Sequence, residues 1–475
     1  MSGAPQMRDA VGGRPLYRYD GPRGAVFSDS VRDLLAKGAP RKLSIPGLRA
    51  YLEYGCACEP LTLIEGISAV PPSFDVGDVA PRDWKSPAEA QSAVTAALEA
   101  GVARAMSPDV RGRIPAALLS GGIDSGAIVA LMRRVAPGAE LRTYCVTHED
   151  PRTDERTWAR KVAEANGTRH TELMLTGEMI GRQLEDALAC YDQPSVDGLN
   201  FWFASKLVRE AGETAVLSGE GGDELFVGYG RFANQRLCAR WAKRLRALPP
   251  ALGALFMKWG PNDRIRKFGQ LVGCRTDPYF EARRIFDRVA VDALLHPDLR
   301  TAAKAAEPYS EIWRRTFGRK LPRDWINATS WKELSTVLLS MYLHDGHQTS
   351  KPHGLEIRAP LLDAALLEIM YAIPGEWKCS PDCLKPLLVL AAGEGLPREC
   401  VLRPKRGFTL PFDRYFGGAI RSRIDDFLFG GETRIFDAAA LARLGRRYRA
   451  GQATWSRVWT LFMVEDWCRR NGVSP

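Results

Sequence analysis

Residues Ala116-Ala117-Leu118-Leu119-Ser120-Gly121-Gly122-Ile123-Asp124-Ser125 join an apolar run to a glycine-rich turn, and an apolar helical pattern follows from Gly126 to Met132. The order reads as strand, tight turn and helix start. Such a turn can aim backbone N–H groups at an anion, the helix N-terminus adds partial positive charge, and Ser120 and Ser125 add hydroxyl donors. Two glycines let the backbone approach a ligand closely, and Asp124 places a carboxylate where Mg²⁺ shared with phosphate oxygens would sit. The loop carries no lysine, so it is not the G-x-x-x-x-G-K-[ST] phosphate loop.

Downstream, Ala215-Val216-Leu217 runs into Ser218-Gly219-Glu220-Gly221-Gly222-Asp223-Glu224-Leu225-Phe226, again a strand entering a glycine-rich turn with a carboxylate. At neighbouring strand ends, the two turns would bring Asp124 and Asp223 toward one Mg²⁺, which takes one or two protein carboxylates and fills its shell with phosphate and water. The plainer reading of Asp223 and Glu224 is helix capping.

Around these loops the pattern alternates. Helices over 88–106, 125–135 and 153–166 and strands over 115–119, 141–147 and 214–217 predict an α/β fold, a parallel sheet with helices on both faces. Ligands in such sheets bind beyond the carboxyl ends of the strands, where Ser120 lies. Ahead of this region, Pro15–Tyr19 and Ala25–Ser28 flank the turn Asp20-Gly21-Pro22-Arg23-Gly24 as a hairpin, and 45–66 reads as a helix and a loop. The proline-rich stretch from Val70 to Pro87 reads as a linker, which puts a domain boundary in the mid-80s: residues 1–84, then 85–475.

The 475 residues suffice for two or three domains. No signal peptide pattern opens the chain and no apolar run reaches membrane length, so a cytoplasmic enzyme with no membrane partner is expected. The ten cysteines are scattered; Cys56/Cys58 and Cys379/Cys383 are the only close pairs and lack a zinc-site spacing. A net charge of +10 is most visible at Arg236, Arg240, Lys243, Arg244 and Arg246. Leu237, Trp241 and Leu245 interleave there at helical spacing, so the run reads as the solvated face of an amphipathic helix rather than a nucleic-acid site.

With both loops in place, the chain resembles the synthetase domain of asparagine synthetase, within the N-type ATP pyrophosphatases. The resemblance extends to Thr143–Val146, Asp154-Glu155-Arg156, Tyr191-Asp192-Gln193-Pro194, Gly354-Leu355-Glu356-Ile357-Arg358-Ala359-Pro360-Leu361-Leu362-Asp363 and Arg403-Pro404-Lys405-Arg406-Gly407-Phe408, in order from about residue 85 to 416. It implies that a substrate carboxylate attacks the α-phosphorus of ATP, giving an acyl-adenylate and pyrophosphate, and that ammonia or an amine then displaces AMP. It further implies that Ser120, Gly121, Gly122 and Ser125 hold the pyrophosphate, with Asp124 and Asp223 on Mg²⁺. By the same likeness Leu119, Val146, Ser218 and Gly219 line the adenosine pocket. Lys385 contacts the pyrophosphate, Lys405 stabilises charge near the adenylate, and Glu356 is the candidate base for the incoming amine. Each has a plainer role: Glu356 and Arg358 as an ion pair, the lysines as surface cations, His353 as an ordinary hydrogen-bonded side chain.

Two departures bear on function. Full-length asparagine synthetases begin with a glutaminase domain whose N-terminal cysteine is freed by removal of Met1. Here Ser2 follows Met1, and Met7–Tyr17 resembles only that domain's closing strands, so no glutamine hydrolysis is expected from this chain; the nitrogen would come as free ammonia, as an amine on the substrate, or from a separate glutaminase. The second lies at Asp345-Gly346-His347-Gln348-Thr349-Ser350-Lys351, where relatives commonly carry D-x-D-R-x-S-M; Gln348 replaces a fixed cation that could bind a carboxylate. Relatives without the glutaminase nucleophile include β-lactam synthetases and lasso peptide cyclases, the latter acting on a precursor peptide. A tRNA-thiolating enzyme and a non-catalytic binding module are the competing readings.

Overall fold

In a computed structural model the chain is described over residues 7–150, 154–229, 248–259, 263–273, 277–403 and 419–475, with Phe232 and Arg244. Lys405 and the basic run 236–246, Arg244 apart, lie outside the described residues.

Among the described residues eight strands form two sheets: β1 (Tyr17–Gly21), β2 (Gly24–Ser28), β3 (Ile67–Ala69), β4 (Ala116–Leu118), β5 (Arg142–His148), β6 (Arg169–Leu175), β7 (Ala215–Leu217) and β8 (Glu356–Arg358). The expected hairpin is present as β1 and β2, and β3 adds to the free side of β1, also antiparallel. The second sheet is wholly parallel in the order β6-β5-β4-β7-β8. The expected α/β architecture is therefore present. The chain moves outward from β4 through β5 to β6, then returns to place β7 on the opposite side of β4. The order reverses between β4 and β7, and ligands in doubly wound sheets bind in the crevice beyond such a point.

Local sequence explains the elements that hold this sheet. The helix Pro87–Ala105 starts where Ser86 Oγ accepts from the Glu89 N–H at 3.2 Å, with proline at its first position. It buries Val94, Leu98 and Val102, each fully buried apolar side chain contributing roughly 1.5–3 kcal/mol. The helix Ile123–Val135 follows β4, and Arg156–Ala165 follows β5. Three strands fall outside the sequence expectation, β3 in the small sheet and β6 and β8 in the parallel one. β6 lies at a sheet edge and opens with four consecutive polar residues, Arg169-His170-Thr171-Glu172, and β8 is a three-residue edge strand with charged ends, so neither shows the full apolar run of a central strand.

The expected boundary in the mid-80s does not separate two cores. Tyr17, Leu34, Leu48 and Ile67 share one buried cluster with Leu184, Phe203, Phe436 and Trp459, and Ala50, Tyr54 and Cys58 join the cluster around the parallel sheet. A helical run extends from Trp325 to Ser350 and is π-helical over Leu334–Leu343. Such π segments are frequent at functional sites. Among the described residues no helix is long and apolar enough to cross a membrane.

Candidate active site

The two glycine loops leave the sheet side by side. Ala116 pairs with Val216 and Ala117 with Leu217, so the two loops leave adjacent strands at the same end of the sheet. Gly121 takes φ +70°, and a Cβ there would run into the Trp158–Ala159 peptide, so glycine is required twice over. Ser125 Oγ accepts from the Ser120 N–H at 3.2 Å and lies 3.2 Å from Ser120 Oγ, which fixes the loop against the start of the helix Ile123–Val135. That helix has Gly122 at its N-cap and no side-chain cap. In the second loop a Cβ on Gly222 would collide with the Asp124 carboxylate, so this glycine lets the loops touch.

Asp124 and Asp223 do converge. The Lys385 ammonium donates to both oxygens of Asp124 and lies 2.7 Å from Asp223 Oδ1, with its side chain 4% exposed. Burial alone would lower the lysine's pKa, but the two carboxylates outweigh it and the net shift is upward. Lys385 itself sits at φ +55° and ψ +50°, a strained conformation for a non-glycine residue, at the N-cap of the helix Pro386–Ala392. Such strain persists where surrounding structure over-determines it, commonly at functional sites.

Beside this cluster opens a cavity of about 450 Å³, within the range of small-ligand sites. Leu119, Ser120, Gly122, Asp124, Ser125, Val146, Ser218, Gly219, Asp223 and Lys385 all line it. Gly121 lies behind the wall, packed on Trp158. Leu118, Ile123, Tyr144 and Val146 make one side apolar. Two further groups, one at the end of the first loop and one within the second, also reach the cavity. Arg403, held 2.7 Å from Glu155 and over the Trp158 ring, lies close to Gly122 and adds a second cation at the loop end.

The other group is Glu220, within the second loop. Its Oε1 is shut off from solvent without a hydrogen-bond partner among the described residues, and its carboxylate lies next to Gly346. Burial, and then the charge of Glu224, push its carboxyl up to about 8. Glu224 is itself raised to about 7 by burial and Asp223, although Tyr229 donates to it at 2.6 Å. Asp197, which accepts from Asn200 Nδ2 at 3.0 Å, lines the same side and is raised by burial to about 6. The signal for Glu220 was present in the loop sequence, as the residue between the two glycines nearest the strand end.

Glu356 is not brought to this cavity. It pairs across the sheet with Ala215, the first residue of β7, so it stands at the end of the sheet opposite Ser218. Its side chain is 43% exposed, 2.8 Å from Arg358 and 3.7 Å from Arg14. His353 packs edge-on against Trp202. Gln348 is enclosed in a hydrogen-bond network, and Lys351 pairs on the surface with Asp29 at 2.6 Å, so neither lines the cavity.

Mg²⁺ fits the donor set. Two carboxylates already face a single cation here, and no group of three or more His, Cys, Asp or Glu side chains among the described residues could form an all-protein cage.

A family model described as asparagine synthase matches residues 93–469. Asparagine synthetase (glutamine-hydrolyzing) 1 of Bacillus subtilis is 23% identical over 97% of this chain and 74% of its own length. Asparagine synthetase (glutamine-hydrolyzing) 3 of the same organism is 26% identical over 84% of this chain and 63% of its own, and a Mycobacterium bovis relative is 26% identical over 79% and 57%. The chain thus spans only part of each relative's length. A match running from before the first parallel strand almost to the C-terminus, over the sheet whose reversal point carries both loops, makes this chain a member of the asparagine synthase family.

Proposed function

We propose that this chain is an ATP-dependent amide-forming synthetase that adenylates a substrate carboxylate and passes the acyl group to ammonia or an amine. The observation that carries the reading is the meeting of Asp124 and Asp223 on one cation between the carboxyl ends of β4 and β7. Ser120, Gly122 and Ser125, with the helix N-terminus behind them and Gly121 shaping the turn, bind the β,γ-pyrophosphate; Leu119, Val146, Ser218 and Gly219 take the nucleoside. Asp124 and Asp223 would hold Mg²⁺, which supplies charge neutralisation for the phosphates. Lys385 and Arg403 face negative charge that builds as pyrophosphate leaves, and the role of Lys405 rests on family likeness alone.

In the first step a carboxylate oxygen bonds to the α-phosphorus and the bond from that phosphorus to the bridging oxygen breaks. In the second, nitrogen bonds to the acyl carbon, AMP leaves, and the nitrogen loses a proton. Glu220 is the better-placed acceptor for that proton, since it lines the cavity and Glu356 does not. A carboxyl near 8 is only partly ionised at neutral pH, but is a stronger base than an ordinary carboxylate once ionised.

The test is product analysis. Protein with Mg²⁺, ATP, a panel of carboxylates, and ammonium or primary amines should yield AMP and pyrophosphate. ADP and phosphate instead would contradict the reading.

A further inference from the structure

The wall of the cavity that carries Asp197 and Asn200 belongs to the segment Tyr191–Asn200, and Gln348 reaches this segment from the helix His344–Ser350. Its Oε1 accepts from two consecutive backbone N–H groups, Asp192 at 2.9 Å and Gln193 at 3.2 Å. Its Nε2 donates to Asp345 Oδ1 at 2.8 Å, and Asp345 Oδ2 accepts from Ser195 Oγ at 2.7 Å. Gln348 is 5% exposed and Asp345 fully buried. One side chain therefore satisfies the segment near its start and, through Asp345, three residues further on.

The remaining bonds pass the constraint to the cavity. Tyr191 OH donates to the Asp197 carbonyl at 2.6 Å, and Asp197 Oδ1 holds Asn200. On the far side, Gln193 donates to Tyr17 OH at 3.1 Å and accepts from the Leu63 N–H at 3.1 Å, which ties β1 to the same segment. Neither lysine nor arginine could replace Gln348 here, because neither has an acceptor for the two N–H groups.

We propose that Gln348 is a positioning residue: it clamps the Tyr191–Asp197 segment and so fixes Asp197 and Asn200 against the non-nucleotide substrate, while leaving the nucleotide end untouched. The kinetic part of this rests on the functional reading above; the clamp does not.

The experiment compares Gln348→Met, which keeps length and removes both polar functions, with Asp345→Asn, which keeps an acceptor for Gln348 Nε2. Hydrogen exchange is followed at the Asp192 and Gln193 amides, and ATP–pyrophosphate exchange is measured with Mg²⁺, ATP and L-aspartate as probes. Gln348→Met is expected to speed exchange at both amides by at least about tenfold, as local opening no longer breaks two buried bonds. It should raise the KM for aspartate by a similar factor while the KM for ATP stays within about twofold. Asp345→Asn, which keeps the Gln348 bond but gives up the acceptor for Ser195 Oγ, should show no more than the mild pattern of Ser195→Ala. Ser195→Ala gives a milder version of the same pattern should the methionine variant fold poorly. Unchanged exchange at both amides overturns the proposal, and so does faster exchange with an unchanged KM for aspartate. If the wild type shows no ATP–pyrophosphate exchange with aspartate or with any carboxylate of the panel above, the functional reading fails, and amide exchange alone upholds or overturns the clamp.

Discussion

The Ser218–Asp223 loop and the Glu356–Arg358 strand lie on paired neighbours in one sheet, yet they face different chemistry. β7 and β8 run parallel in register, Ala215 beside Glu356 and Leu217 beside Arg358. The loop follows its strand and opens at the carboxyl end, where Asp223 meets Asp124 and Lys385. Glu356 begins its strand and points its charge into surface ion pairs. Two motifs with equal family likeness are therefore separated by the length of a strand. In a parallel sheet, whether a residue precedes or follows its strand decides whether it can reach the ligand.

The sharpest way to break this comparison is to remove the carboxylate on each side. Glu220→Gln should lower amide formation by about 10²–10⁴-fold, the range of a lost general base, with the pH dependence above neutrality lost as well. Next in size, Lys385→Met or Asp223→Asn should cost about 10²–10³-fold in pyrophosphate release, since each removes preorganised charge at the phosphate end. Either variant leaves its former partner buried, so thermal unfolding should be recorded beside the rate.

A stability measurement sharpens the contrast without any substrate. Glu220 near 8 and Glu224 near 7 in the folded chain both lie above the ordinary 4.5. Between those values the native state binds more protons than the unfolded state, so stability falls as pH rises from about 5 to 8. Glu220→Gln should flatten that fall, read as urea midpoints across the range. A decline as steep as the wild type's would mean that Glu220 is not held protonated. The smallest effect is expected at Glu356→Gln: activity within about threefold and stability changed by under about 1 kcal/mol, as for exposed ion pairs.

Both glycine loops, the parallel sheet and the pairing of Asp124 with Asp223 were legible in the sequence, because strand-turn-helix punctuation is a local signal. What was not legible depended on the third dimension. β6 and β8 are edge strands with polar residues, so periodicity does not mark them. Glu220 lies inside the second loop between two glycines, where no periodicity marks it; only burial beside Gly346 and Glu224 gives it chemistry. Gln348 looked like a lost cation, whereas its amide is committed to two backbone N–H groups far away in sequence. The core shared by Tyr17, Leu48, Phe203 and Trp459 could not be read from a proline-rich stretch, which marks a change of local structure and not a gap between cores.

The nucleotide proposed to sit between the two glycine loops can be located before any substrate is known. Hydrogen exchange of the wild-type protein with and without Mg·ATP should show added protection at amides 119–125 and 218–224, with no change at 354–358. Protection at 354–358 without protection of either loop would contradict that placement.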